Sequence, residues 1–200
     1  MKNLILLLSI AMLAFSCKDN PAVKKIKEAK DGVVNTTNVI KESAKMQDDI
    51  KGLSETTPLT NEEMKAWLPD EVDGMKRTAF KTGAMGMMNI ASVEATYSSE
   101  DKSRSFKVEV IDGAGEMGAL STAGLRMAFS MDFEEETETK TRKTVSKNGV
   151  KAIEEYNKSR NQSVIQLMQD NRFYVKATGE NMEIDTLWEL IGEMGTDDLS

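Results

Sequence analysis

Two runs of strict alternation constrain this chain more than anything else in it. Ala91, Val93, Ala95 and Tyr97 alternate with Ser92, Glu94 and Thr96, and Phe106, Val108 and Val110 alternate with Lys107 and Glu109. A period of two sends apolar side chains to one face of a strand and polar ones to the other, so each run reads as a half-buried strand. The stretch between them, "SSEDKSR", is polar and of hairpin-turn length, which makes the pair antiparallel.

The same pattern recurs downstream. "TETKTRKTV" alternates threonine with charge, Asn148-Gly149 is a strong hairpin signal, and "VKAIEEY" returns from it. "QSVIQLM" and "RFYVKAT" follow, with Asp170-Asn171 as a tight turn between them. Helices are expected around the strands. Thr60 with Glu63 three residues on forms a capping box, predicting a helix from Asn61 to Trp67 that Pro69 ends. A second helix is expected over 120–129, with Leu120, Leu125, Met127 and Phe129 on its apolar face. A third is expected over 183–194, facing inward through Ile184, Leu187, Trp188 and Ile191. The sum is an α+β domain over 61–195: an antiparallel sheet of about six strands packed by helices, with a tail at 196–200 that should fray.

The first seventeen residues, "MKNLILLLSIAMLAFSC", place Lys2 before an apolar run and small or neutral residues before Cys17. That is the layout of a signal peptide over 1–16, too short to span a bilayer. "LAFSC" resembles the lipobox of bacterial lipoproteins. The resemblance implies lipidation at Cys17, with palmitate-type acyl chains on the thiol and, after cleavage, on the freed amine. Ala14 stands where that family usually has leucine, and Ala14 with Ser16 also suits the ordinary secretory peptidase, which would cut the same bond. Two or three acyl chains anchor a protein stably, whereas one does so only marginally. Lys18 and Asp19 partly resemble a surface-export tether, and aspartate in that place also resembles an inner-membrane retention signal. The expected location is the cell envelope, lipid-anchored at the outer membrane on its periplasmic or surface face.

Removing Lys2 with the leader takes one from 26 basic residues set against 33 acidic ones, a net charge of −8. Such a chain is repelled by nucleic acid, so no nucleic-acid partner is expected. Cys17 is the single cysteine, which excludes an intramolecular disulfide. Residues 17–60 read as the anchor and a helical spacer. Ile26, Val33 and Ile40 are spaced by seven, and Met46, Ile50 and Leu53 continue a thin apolar stripe. A solvated spacer and a partner-binding or self-associating coiled coil both fit that stripe.

"VEVIDGAGEMGALS" spells G-x-G-x-x-G through Gly113, Gly115 and Gly118, directly after a strand. A dinucleotide site needs a parallel unit in which a second buried strand follows the helix. Here "SMDFEEETETKTRKTV" follows, whose charge alternation belongs to a sheet with one wet face. The motif is therefore expected to be a tight strand-to-helix turn, and it is retained as a candidate ligand or partner surface. Met85, Met87 and Met88 in "GAMGMMN" form the other candidate surface, as core filling, as an apolar groove, or as a Cu(I) site through thioethers. The chain has no histidine, which removes the commonest general base and zinc ligand. The acidic run Asp132, Glu134, Glu135, Glu136 and Glu138 lacks a calcium-loop pattern and reads as a solvated loop. No catalytic residue, metal or cofactor is expected.

From Leu68 onward the order of "LPDEVDGMKR", "ASVEATY", "FKVEVID", "NGVKAIEEY", "SVIQLM", "RFYVKATG" and a closing helix resembles uncharacterised bacterial envelope lipoproteins, and its layout resembles the PsbP-like α/β/α sandwich. The resemblance implies a non-catalytic accessory role and carries over no site residue. The expected function is that of a lipid-anchored, non-enzymatic envelope protein binding a partner protein or an apolar small ligand. The alternatives are a Cu(I) or other ligand carrier using Met85–Met88, and a nucleotide-binding enzyme using Gly113–Gly118.

Overall fold

The computed structural model describes residues 44–83, 90–147 and 149–199. The chain divides into two compact units, 1–45 and 46–200, and nearly all described residues belong to the second. Helix α1 is described over 44–54, and α2 spans Asn61–Trp67. Then come β1 (Glu71–Val72), β2 (Met75–Thr82), β3 (Ser92–Ser98), β4 (Ser105–Asp112), helix α3 (Gly115–Ser130) and β5 (Glu134–Glu136). The chain finishes with β6 (Lys140–Lys147), β7 (Val150–Asn157), β8 (Gln162–Gln169), β9 (Phe173–Glu180) and α4 (Ile184–Glu193).

All strands join one antiparallel sheet in the order β1-β2-β3-β4-β9-β8-β7-β6-β5. Two meanders meet at its centre, where β4 pairs with β9. The first runs inward from one edge and ends on β4. Helix α3 then carries the chain to the far edge at β5, and the second meander runs back to β9. The expected sheet of about six strands is corrected to nine. The additions are β1, β2 and β5, whose sequences hide them: β1 has two residues, the three glutamates of β5 are all exposed, and β2 carries a register shift between Arg77 and Ala79 that breaks its alternation.

One sheet face builds the main core. Val93, Val110, Val175 and Leu167 stand in one row across four strands, and Ala95, Val108, Ala177 and Ile165 in the next, all at most 2% exposed. Met64 of α2 and Leu187, Leu190 and Ile191 of α4 cover them. Burying a side chain such as Leu187 contributes about 1.5–3 kcal/mol. The capping box forms as expected: Thr60 Oγ1 accepts from the Glu63 amide, and Glu63 accepts from the Thr60 amide at 2.8 Å. The expected fraying of the tail is corrected. Gly195 takes φ 62, residues 196–198 make a 3-10 turn, and Leu199 is buried in the core. The Trp67 indole N–H donates to the Gly195 carbonyl at 3.0 Å, tying that end to α2.

On the other face a smaller cluster joins Phe129 of α3 to Ile153 and Tyr174, with Ile111, Leu125, Phe133 and Met168 against it. The rest of that face is polar; Lys107, for example, bridges Glu94 at 2.9 Å and Glu109 at 3.0 Å. Burial, with Glu109 adding to it, pushes the Tyr174 phenol up to about 12. In the unfolded chain it titrates near 10, so its contribution to stability is complete below about pH 10 and lost as the pH rises toward 12. Denaturant melts at about pH 9 and about pH 11 should show a smaller loss for Tyr174→Phe than for wild type.

Candidate functional site

The glycine motif sits where β4 leaves the centre of the sheet. Asp112, the last residue of β4, is fully buried. Its carboxylate accepts from Arg172 Nε and Nη2, each at 2.8 Å, and from the amides of Leu59 and Ala114, each at 2.9 Å. A two-pronged ion pair with two further amides satisfies a buried carboxylate, and the hydrogen bond to Asp112 holds the Arg172 guanidinium above its usual range. Arg172 also donates to the Thr57 carbonyl at 3.3 Å and lies over the Phe173 ring, 4.6 Å from its centroid.

The three glycines serve this packing. A Cβ on Gly113 would lie 2.6 Å from the Arg172 carbonyl oxygen and 2.7 Å from Arg126 Nη2, and one on Gly118 would lie 2.7 Å from the Asp112 carbonyl oxygen. Gly115 takes φ 75, the left-handed region that glycine enters freely. Three successive amides of the turn are already committed inside the protein: Gly113 to the Arg172 carbonyl, Ala114 to Asp112, and Gly115 to the Thr56 carbonyl. A phosphate cradle needs such amides free and the helix N-terminus clear of negative charge. Here these three amides are taken by partners inside the protein, and the buried Asp112 carboxylate lies beside them.

Helix α3 is held on the sheet in part by a buried polar clasp. Arg126, 6% exposed, donates to Thr122 Oγ1 at 2.7 Å and to the Asn171 carbonyl at 3.0 and 3.2 Å. Burial lowers its pKa. Asp170 and Asn171, at φ 48 and 54, form the turn that Arg126 grips and that leads into Arg172, and the Asn171 side chain reaches Asp49 of α1 at 2.9 Å. The expected apolar face of α3 is corrected in consequence. The helix starts at Gly115; Gly118, Ala119, Thr122, Arg126 and Phe129 point inward, while Leu120 and Met127 are 65% and 58% exposed. Among the described residues, the exposed large hydrophobic side chains are Phe80 and four at this helix: Met117, Leu120, Met127 and Met131.

An open hollow of about 570 Å³ adjoins the turn, lined among others by Pro58, Asn61, Ile90, Gly115 and Met117. It is next to Gly83 and Ile90, which flank residues 84–89; Met85, Met87 and Met88 lie there, outside the described residues, as does Cys17. Among the described residues no three histidine, cysteine or acidic side chains are grouped to hold a metal. In the acidic stretch, Asp132 bridges Lys151 at 2.9 Å and Glu136 bridges Lys158 at 3.0 Å. Arg172 and Arg126 were not legible as site residues: Arg172 meets Asp112, and Arg126 of α3 meets the Asn171 carbonyl, only through the meeting of β4 with β9, and the sole local signal was the Asp170-Asn171 turn.

No family model matches this chain, and no curated protein matches it. Among solved structures it is similar to a GTP binding regulator from Thermotoga maritima, at 11% identity and a TM-score of 0.31, over 68% of this chain and 84% of that one. A likeness at that level carries no conclusion about this chain.

Breaking the buried pair from one side leaves a guanidinium without its partner. Asp112→Ala should therefore cost about 3 kcal/mol or more, read as a lowered denaturant midpoint.

Proposed function

We propose that this chain is a lipid-anchored, non-enzymatic protein of the cell envelope whose globular unit binds a partner protein or an apolar small ligand. The anchor rests on the position of Cys17, the only cysteine, at the end of a short apolar leader. No helix among the described residues is long and apolar enough to cross a membrane. The binding role rests on the outer surface of α3. A solvated helix in a chain that is 30% charged should carry charge on its outside. The exposed residues of α3 are Glu116, Met117, Leu120, Ser121, Gly124, Met127 and Ser130, with a single charge among them. Contiguous apolar surface of this kind marks interaction sites. The charged chemistry nearby is committed elsewhere: Asp112, Arg172 and Arg126 all hold the fold together.

Two measurements test the two halves of this reading. In Triton X-114 phase separation the wild-type chain should enter the detergent phase and Cys17→Ala the aqueous phase; equal partitioning would overturn the anchor. A fluorescent hydrophobic probe should bind the native chain, and Leu120→Glu with Met127→Glu should lower that signal severalfold without lowering the melting temperature, since both side chains are exposed. Unchanged probe binding would remove α3 as the binding face.

A further inference from the structure

The apolar residues on the outside of α3 are not scattered. Met117, Leu120, Gly124, Met127 and Met131 follow one another at spacings of three, four, three and four, the pattern of a coiled-coil seam. At about 100° per residue they fall in one stripe opposite Thr122, the residue buried deepest against the sheet. We infer that this stripe is the contact between two copies of the chain, formed by α3 against α3 of the second copy in antiparallel fashion about Gly124. The inference rests on α3 being the binding face and names what that face binds.

Three features select a second copy. The first is the symmetry of the stripe about its own centre. Reversed about Gly124, Met117 meets Met131 of the other copy and Leu120 falls beside Met127, so each large side chain finds another, as a two-fold contact of identical patches requires. The second is the centre itself. A Cβ on Gly124 would meet no atom within 4 Å, and Ser121 and Ala128 beside it are small, so two backbones can approach to the roughly 8 Å of a close helix pair. The third is charge. Between its two ends the stripe carries no ionic group to choose a differently charged partner, and charged border positions are what set partner choice in such helix pairs. Glu116 and Asp132 stand at its two ends, and Asp132 is already paired with Lys151 at 2.9 Å.

Area sets the strength. Sixteen helical residues are roughly 24 Å long and roughly 10 Å wide, so the outward half of α3 offers on the order of 400 Å² per copy. The total of about 800 Å² is below the roughly 1,200 Å² at which stable interfaces begin. The dimer is therefore weak in dilute solution, and tethering both copies to one membrane favours it by raising their effective concentration. Since both copies carry a net negative charge, salt screens their repulsion and strengthens the contact.

The test is oxidative cross-linking of the full chain in membranes, with Gly124→Cys as the probe, Glu189→Cys on the outside of α4 as the control, and wild type giving the background from Cys17. Gly124→Cys should form a species of twice the monomer mass, well above the control. Adding Leu120→Glu and Met127→Glu should reduce it at least tenfold with the melting temperature unchanged, and added salt should increase it. A Gly124→Cys dimer no stronger than the control overturns the pairing, as does a dimer that ignores the two glutamates. Cross-linking to a protein of another mass also overturns it and assigns the face to a different partner. Loss of the dimer with the hydrophobic probe still bound at Leu120 and Met127 leaves the binding face standing without self-association.

Discussion

The buried ion pair between Asp112 and Arg172 is the constraint on which the rest of the molecule depends. Asp112 ends β4 and Arg172 immediately precedes β9, the central strands through which the two meanders become one sheet, and the register there sets Asp112 against Phe173. A carboxylate withdrawn from water is tolerable only when its hydrogen-bonding positions are filled, and the partly exposed Arg172 fills two of them. Asp112 fills the others with the amides of Leu59 and Ala114, and so fixes two further pieces of chain: the segment entering α2 and the first residue before α3. Position, helix start and linker path follow from one carboxylate.

That same carboxylate determines what the glycine turn can do. In a nucleotide-binding turn the glycines bring backbone amides to an external anion at the helix N-terminus. Here they let a strand, a helix and a neighbouring turn approach until a single methyl group would collide with the Arg172 carbonyl or the Asp112 carbonyl. The amides of Gly113, Ala114 and Gly115 are satisfied from within. A motif defined by spacing alone describes the shape of a turn; which anion fills it depends on the residue just before it.

How much of this was legible in the sequence depended on whether the signal was local. The six strands with clean alternation or a strong turn between them were visible, as was the capping box at Thr60, because each is specified by neighbours in sequence. β2 was hidden by its bulge, and by Phe80 lying exposed between Lys65 and Arg77 where alternation would bury it. β5 was hidden because three exposed glutamates carry no burial signal. Helix α3 was placed with half of its inward face correct: Leu125 and Phe129 pack on the sheet, while Leu120 and Met127, also expected inside, are exposed. What decides its orientation is Arg126 clasping the Asn171 carbonyl from 45 residues away, and no helical period contains that. The glycine turn was recognised as structural, yet the arginine that completes it stands 60 residues on.

The orientation of α3 also explains why its outside is apolar. A crossing helix can be seated by an apolar face or by a polar clasp, and this one uses both: Arg126, held by Thr122, clasps the Asn171 carbonyl, and Leu125 and Phe129 pack beside it. Once Arg126 and Thr122 hold the inner side, the methionines and Leu120 are not needed to attach the helix to the sheet. Side chains left exposed in this way contribute nothing to the fold of the single chain, and their burial by another surface would add free energy at about 25 cal/mol per Å² before the cost of association. Charged residues on that face would have served solubility equally well and would have cost the fold nothing. An uncharged stripe of flexible, adaptable methionines around a glycine is instead the surface chemistry of contact.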